Sequence, residues 1–172
     1  MQIANLNINL PQKKEEEFLK IDFTSLFDFD FKEHKTLDFA LDLESIKDDE
    51  IYDSKLFSIA NSFDNSKRVL TISENLEKPL IIVNKLKNSE TLYTNNLLIN
   101  VKEGVKASVI EVFTSSLKNS TILANRTIEV EKNSSLEYVK IQDISISNSL
   151  IFSYTAVGES IQSLYLRYIL GW

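Results

Sequence analysis

The sequence has no cysteine, one histidine (His34), three glycines, two prolines and one tryptophan in 172 residues. Each shortage removes a class of chemistry. Without cysteine there is no disulfide framework, no thiolate zinc site, no cysteine nucleophile and no thiolate to hold an iron–sulfur cluster. One histidine cannot build a multi-histidine metal site, and a Ser-His-Asp triad would have only His34 to draw on. Gly104, Gly158 and Gly171 are too scattered for a G-x-G-x-x-G turn or a Walker A loop, which need clustered glycine so that backbone can approach phosphate. The chain is poorly equipped for catalysis. It offers no candidate catalytic, cofactor-binding or metal-ligating residue.

Long apolar runs are also missing. No stretch approaches the roughly 18 residues that a membrane helix needs. The start, Met1-Gln2-Ile3-Ala4-Asn5, has no basic region, apolar region or cleavage site of a secretory signal. A cytoplasmic location is therefore expected, with no membrane partner. The sequons at Asn119, Asn125 and Asn133 read as incidental in a chain rich in Asn and Ser.

What is present is a globular balance, 43% hydrophobic and 26% charged, with a net charge of −6. Residues 1–68 hold 9 Lys+Arg against 15 Asp+Glu, whereas residues 69–172 hold 10 of each. An acidic front and a neutral remainder argue against nucleic-acid binding, which wants a basic stripe. The acidic front reads as solvated surface.

Residues 12–20 follow Pro11 and suit a short helix. Phe23, Phe27, Phe29, Phe31 and Phe39 stand among acids, and the alternation at 27–31 suits a short extended piece or an arm laid on a larger body. Tyr52, Leu56, Ile59, Ala60 and Phe63 recur at helical spacing. After Arg68 the texture changes to short β-rich runs, so the expected division is 1–68, acidic and helical or irregular, and 69–172, mainly β.

That second part repeats at a shift of about 29 residues. Leu70-x-Ile72-x-x-Asn75 with Leu80-Ile81-x-Val83 becomes Ile99-x-Val101-x-x-Gly104 with Val109-Ile110-x-Val112. It then becomes Ile128-x-Val130-x-x-Asn133 with Tyr138-Val139-x-Ile141. Each copy puts Gly or Asn where a turn wants positive φ. Each then has two adjacent apolar residues that break the period of two, read here as a strand turning a corner. A second cluster aligns Leu92-Tyr93 with Ile122-Leu123 and Leu150-Ile151-Phe152, preceded by the turn residues Glu90-Thr91, Asn119-Ser120 and Asn148-Ser149. Several short strands per repeat predict a mainly β parallel solenoid, each coil pairing with the next at about 4.8 Å. A fourth copy near Val157 fits poorly, because Glu159 and Arg167 fall on apolar positions. The sequence closes on an apolar β-forming stretch with no polar cap in view. The β-helix is therefore expected to be incomplete at its C-terminal end, and to self-associate through its last coil.

The residues resemble the SufB/SufD family of SUF-system iron–sulfur cluster assembly scaffolds. Pro11-x-Lys13-Lys14-x-Glu16-Glu17-Phe18 is similar to the family's P-x-R-x-x-E-E-W motif, with Phe18 in place of Trp. Residues 53–63 resemble its F-x-x-L-N-x-A-F helix. Val69-x-x-Ile72 through Pro79-Leu80-Ile81-Ile82 resembles its opening β-helix segment. Val101-x-x-Gly104 to Val109-Ile110-Glu111, and Thr127-Ile128 to Tyr138-Val139-Lys140-Ile141-Gln142, resemble the two segments that follow. The matches are collinear over residues 11–145, and the SufD side of the family fits better.

The resemblance implies a right-handed parallel β-helix behind a small α-helical or irregular N-terminal region. It implies a cytosolic complex with the SUF ATPase subunit and a SufB-type paralogue. The cluster belongs to the whole complex and not to this chain. In the family the partner contacts and cluster-related residues lie later than any position here, so no functional residue carries over. A short homologue and a fragment both remain open.

The residues that could be singled out have plainer readings. His34 lies in a polar setting and reads as surface. Glu15–Glu17 suits a helix N-terminus. Glu111, Glu129 and Glu137 could form a carboxylate set, but alternation with apolar neighbours reads them as outward-facing. Phe23–Phe31 reads as intramolecular packing before a docking motif. The functional expectation is a non-enzymatic scaffold component of the SUF assembly. The alternative is a generic β-solenoid protein-binding module, with a β-helix carbohydrate-active enzyme third.

Overall fold

The computed structural model describes residues 1–5, 24–47, 55–143, 150–157 and 164–170. The 29-residue spacing becomes strand register. Ten strands occupy β1 Glu33–Thr36, β2 Glu44–Lys47, β3 Ser66–Ile72, β4 Leu80–Leu86, β5 Thr91–Val101, β6 Lys106–Ser115, β7 Thr121–Val130, β8 Ser135–Asp143, β9 Leu150–Val157 and β10 Leu164–Leu170. Two helices, α1 Thr24–Phe27 and α2 Lys55–Phe63, and a 3-10 turn at Ile3–Asn5 complete the described elements.

From β3 onward the chain alternates between two sheets. The first runs β2-β3-β5-β7-β9, with β1 also on β5; the second runs β10-β8-β6-β4. Every pairing among these is parallel except β2 with β3. Leu70 pairs with Ile99 and Ile99 with Ile128. Leu80 pairs with Val109 and Val109 with Tyr138. Each step is the repeat read from the sequence. Side chains from both sheets meet in one buried cluster that includes Leu70, Ile72, Leu97, Ile99, Val101 and Val109. Burying each such aliphatic side chain contributes about 1.5–3 kcal/mol.

The turns stack as the strands do. Gly104 (φ 75) and Asn133 (φ 59) lie one repeat apart, and so do Glu90 (φ 54) and Asn119 (φ 58). The Gly104 N–H donates to the Lys132 carbonyl at 3.0 Å, tying one turn to the next. Asn75, the first member of the expected turn series, does not share the positive φ. Its side chain accepts a hydrogen bond from the Lys106 N–H at 2.8 Å instead.

Three expectations need correction. The paired apolar residues do not mark a corner. β4 alternates strictly, with Ile82, Asn84 and Leu86 inward and Ile81 and Val83 outward, 59% and 47% exposed. The pairs therefore put one apolar side chain on each face of the sheet. Second, the cluster alignment at Leu92-Tyr93 is off by one, since Tyr93 pairs with Ile122 and Leu92 with Thr121. Thr91 through Leu97 are all buried, so no alternation is left to read. The cause is that the outer face of this sheet is covered: Ile3, Leu26, Phe27, Phe31, Ile59 and Ala60 pack against Leu92 and Leu123. Third, the fourth copy is shortened by one residue. Leu164 pairs with Leu136, a shift of 28, so Leu166 and not Arg167 stands opposite Tyr138.

Within the stretch expected to be helical or irregular, α2 falls on the predicted helical spacing, whereas β1 and β2 are strands that join the first sheet. Phe27 and Phe31 are buried and Phe29 half-buried, so this part of the aromatic stretch packs within the molecule. Phe23, the 12–20 helix, Glu15–Glu17 and Asn148-Ser149 lie outside the described residues. Residues 37–43 alternate half-buried Leu37, Phe39, Leu41 and Leu43 with exposed Asp38, Ala40 and Asp42. Phe39, Leu41 and Leu43 pack against the main core.

A Cβ added at Gly104 would meet nothing within 4 Å, so only backbone conformation opposes a side chain there. Gly104→Ala should lower the urea unfolding free energy by about 1–2 kcal/mol, the left-handed penalty of an L-residue. An unchanged midpoint would show that this turn does not hold positive φ in solution.

Candidate functional site

Inside the aliphatic core lies one charged cluster. It is built where the repeat breaks its own apolar rows. The inward row that begins with Ile82 continues to Glu111 and Lys140. The inward row that begins with Arg68 and Leu97 continues to Arg126 and Thr155. Stacking thus brings Glu111 on β6 and Arg126 on β7 together between the sheets, each with its side chain fully buried.

The Arg126 side chain is saturated. Its Nε donates to both Glu111 oxygens at 2.9 and 3.1 Å. Its Nη2 donates to Glu111 Oε1 at 2.5 Å and to Asn95 Oδ1 at 2.9 Å. Its Nη1 donates to the Asn95 and Asn125 carbonyls at 3.1 and 2.6 Å. Asn84 Nδ2 donates to Glu111 Oε1 at 2.7 Å, and the Tyr138 hydroxyl donates to Glu111 Oε2. Asn95 in turn donates to Asn84 Oδ1 at 2.8 Å, closing the ring of contacts. Phe39 and Phe113 flank the guanidinium at 5.7 and 5.6 Å.

The electrostatics follow from burial and pairing. Burial alone would raise the Glu111 carboxyl, but the Arg126 charge and hydrogen bonds, with Lys140 and Tyr138 behind them, hold it below the ordinary carboxylate range. Arg126 is held above its usual value: burial opposes its charge, and Glu111 outweighs burial. Burial, and then the Glu111 charge, push the Tyr138 hydroxyl well above the usual phenol range. Lys140 is 1% exposed, lies 5.6 Å from the Tyr138 ring, and donates to Thr155 Oγ1 at 3.2 Å. Burial lowers its ammonium to about 8, against the pull of Glu111.

Glu111 is the clearest departure from the sequence expectation. It faces inward, not outward. Ile110 and Val112 lie on the outer face, so the apolar alternation around Glu111 points the wrong way. Glu129 is exposed, as expected. Glu137 is half-buried, near Arg167 at 3.4 Å. The three carboxylates do not form a set. Arg126, Asn84, Asn95, Tyr138 and Lys140 were not singled out. The available signal was a charge standing within a repeat row, Ile82–Glu111–Lys140 and Arg68–Leu97–Arg126–Thr155.

His34 is half-buried rather than on the surface. It sits on β1, with Nε2 2.9 Å from Thr94 Oγ1 and its ring stacked on Phe63 at 4.7 Å. Burial lowers its pKa, partly offset by Asp64. On the same outer face Asn61 of α2 accepts hydrogen bonds from Asn96 and Asn125, which stand side by side on β5 and β7. These contacts seat the helix on the sheet.

Among the described residues no three His, Asp or Glu side chains lie together as metal ligands. The Glu111–Arg126 cluster presents no open donor set, because its charges are spent on one another. Comparison with protein-family models, curated proteins and solved structures finds no match to this chain.

Two measurements check the cluster. Glu111→Leu or Arg126→Met alone strands a buried charge and should cost about 3–5 kcal/mol, whereas the double variant should recover much of that loss. Additive losses in urea unfolding would show that the two charges do not meet. For Lys140, the folded pKa lies below that of the unfolded chain. Between pH 8 and the ordinary lysine value of about 10.4 the unfolded state binds the extra proton, so stability rises with pH. Below pH 8 the burial penalty is present in full. The stability difference between wild type and Lys140→Met should shift in favour of wild type over this window, by at most about 1.4 kcal/mol per pH unit. A flat difference would show that the ammonium is not buried.

Proposed function

We propose that the two-sheet stack is a right-handed parallel β-helix, and that the chain is a SufD-like scaffold component of a SUF-type iron–sulfur cluster assembly complex. It acts by protein–protein contact, without chemistry of its own, in the cytosol. The ATPase subunit and a SufB-type paralogue are its partners, and the cluster is cargo of the whole complex.

One observation carries the reading. The family-like segments from Val69 to Gln142 fall on successive strands in a single register. Val69–Ile72 lies in β3 and Leu80–Ile82 in β4. Gly104 makes the turn before β6, and the stretch from Thr127 to Gln142 runs through β7 and β8. A motif order that coincides with a structural repeat is harder to obtain by chance than either alone. The right hand follows from the general preference of parallel crossovers. The saturated cluster supports a scaffold role, since its charges are bound to each other and not held ready for a substrate. β9 and β10 end their sheets among the described residues, and an exposed strand edge favours self-association there.

The test is recovery of the chain, tagged at its N-terminus and expressed from its native locus. The expected result is co-purification of the SUF ATPase and a SufB-type subunit with the intact product of that locus, and weak or no ATPase binding by residues 1–172 alone. Recovery of neither overturns this reading and leaves a β-solenoid binding module unrelated to cluster assembly.

A further inference from the structure

The two sheets differ at their front edges. β3 of the first sheet is paired by β2. β4 of the second has one strand neighbour, β6, and no strand on its other edge among the described residues. An unpaired strand edge presents a row of backbone donors and acceptors that another extended backbone can pair. A groove of about 370 Å³ runs beside this edge, with Leu37, Asp38, Phe39 and Ala40 on one wall and Val83, Lys85 and Lys87 on the other; Asp38 is paired with Arg68 at 3.1 Å. The wall at residue 37 is anchored by its N–H on the Thr94 carbonyl at 2.8 Å.

The outer face of the second sheet says what an added strand must carry. Successive strands align Ile81 with Ile110 and Val139, and Val83 with Val112 and Ile141. These two aliphatic rows stop at β4, where Ile81 and Val83 are left 59% and 47% exposed. Two residues on, Lys85 is exposed, and Lys87 beyond it is exposed too. A strand continuing the sheet in parallel would place aliphatic residues beside Ile81 and Val83 and an acid beside Lys85. β10 of a second copy does not meet this pattern. Its Arg167 stands in the Ile81–Ile110–Val139 row.

We propose that the open edge of β4 takes an extended segment of a partner protein as an added parallel strand. The segment has aliphatic residues two apart, followed two residues later by Asp or Glu. The rows of Ile81 and Val83 supply apolar contact, Lys85 and Lys87 read the acid, and the edge backbone sets register. This site is independent of the SUF reading and is tested without SUF components.

The probe is a fluorescein-labelled peptide, Thr-Val-Ser-Val-Thr-Glu-Ser, titrated against the full chain by fluorescence anisotropy. Saturable binding is expected. Replacing the peptide Glu by Lys, or testing Lys85→Glu/Lys87→Glu protein with unchanged circular dichroism, should weaken binding roughly tenfold. N-methylation of alternate peptide amides should abolish it, because the edge can no longer be paired. Equal affinity for the N-methylated peptide would overturn strand addition. Absence of binding at millimolar peptide would overturn the site and leave the lysines as guards against edge-to-edge aggregation. Dimerisation abolished by Lys85→Glu/Lys87→Glu, with no peptide binding, would assign the edge to a second copy and overturn the partner proposal.

Discussion

In-register parallel stacking at 29 residues is the constraint on which the rest depends. A strand repeated at fixed spacing meets its own counterpart in the next layer. Whatever one copy places inward is therefore stacked on what the next copy places inward. Leu70, Ile99 and Ile128 form a dry row for this reason. Gly104 and Asn133 are drawn into the same left-handed turn by the same register. The one-residue shortening before β10 is tolerated because it lies between strands: the pairing of β10 with β8 is regular throughout, from Leu164 to Leu170.

The same register turns a local substitution into a structural commitment. A glutamate in place of Ile82 in the next copy, and an arginine in place of Leu97, would each be ruinous alone. Their rows face each other across the core, so the two charges meet. A buried pair of this kind seldom adds net stability over aliphatic residues, but it is strongly destabilised when one member is lost. Its physical effect is to specify. Only the register that joins Glu111 to Arg126, with Asn84, Asn95 and Tyr138 around them, satisfies these two buried charges. A slip by one residue would leave each of them orphaned in an apolar interior.

The N-terminal segments divide the surface between the two sheets. α1, α2 and the 3-10 turn cover the outside of the first sheet, and β2 pairs its front edge. The second sheet receives no such cover from the described residues. Its outer rows keep their aliphatic side chains, and its front strand keeps its edge. This asymmetry buries the outer face of the first sheet and leaves that of the second exposed to contact among the described residues.

The spacing of the repeat, the turn positions at Glu90, Gly104, Asn119 and Asn133, and the helix around Ile59 and Ala60 were legible because each rests on local sequence. Tertiary structure decided which face of a strand points inward wherever both faces are apolar. Ile110 and Val112 drew Glu111 to the wrong side on paper, since a period of two names two faces without saying which is core. Tertiary structure also decided that Thr91 through Leu97 lose their alternation, because chain more than 30 residues away covers the outside of that strand. Periodicity is a property of the chain. Inside and outside are properties of what packs against it.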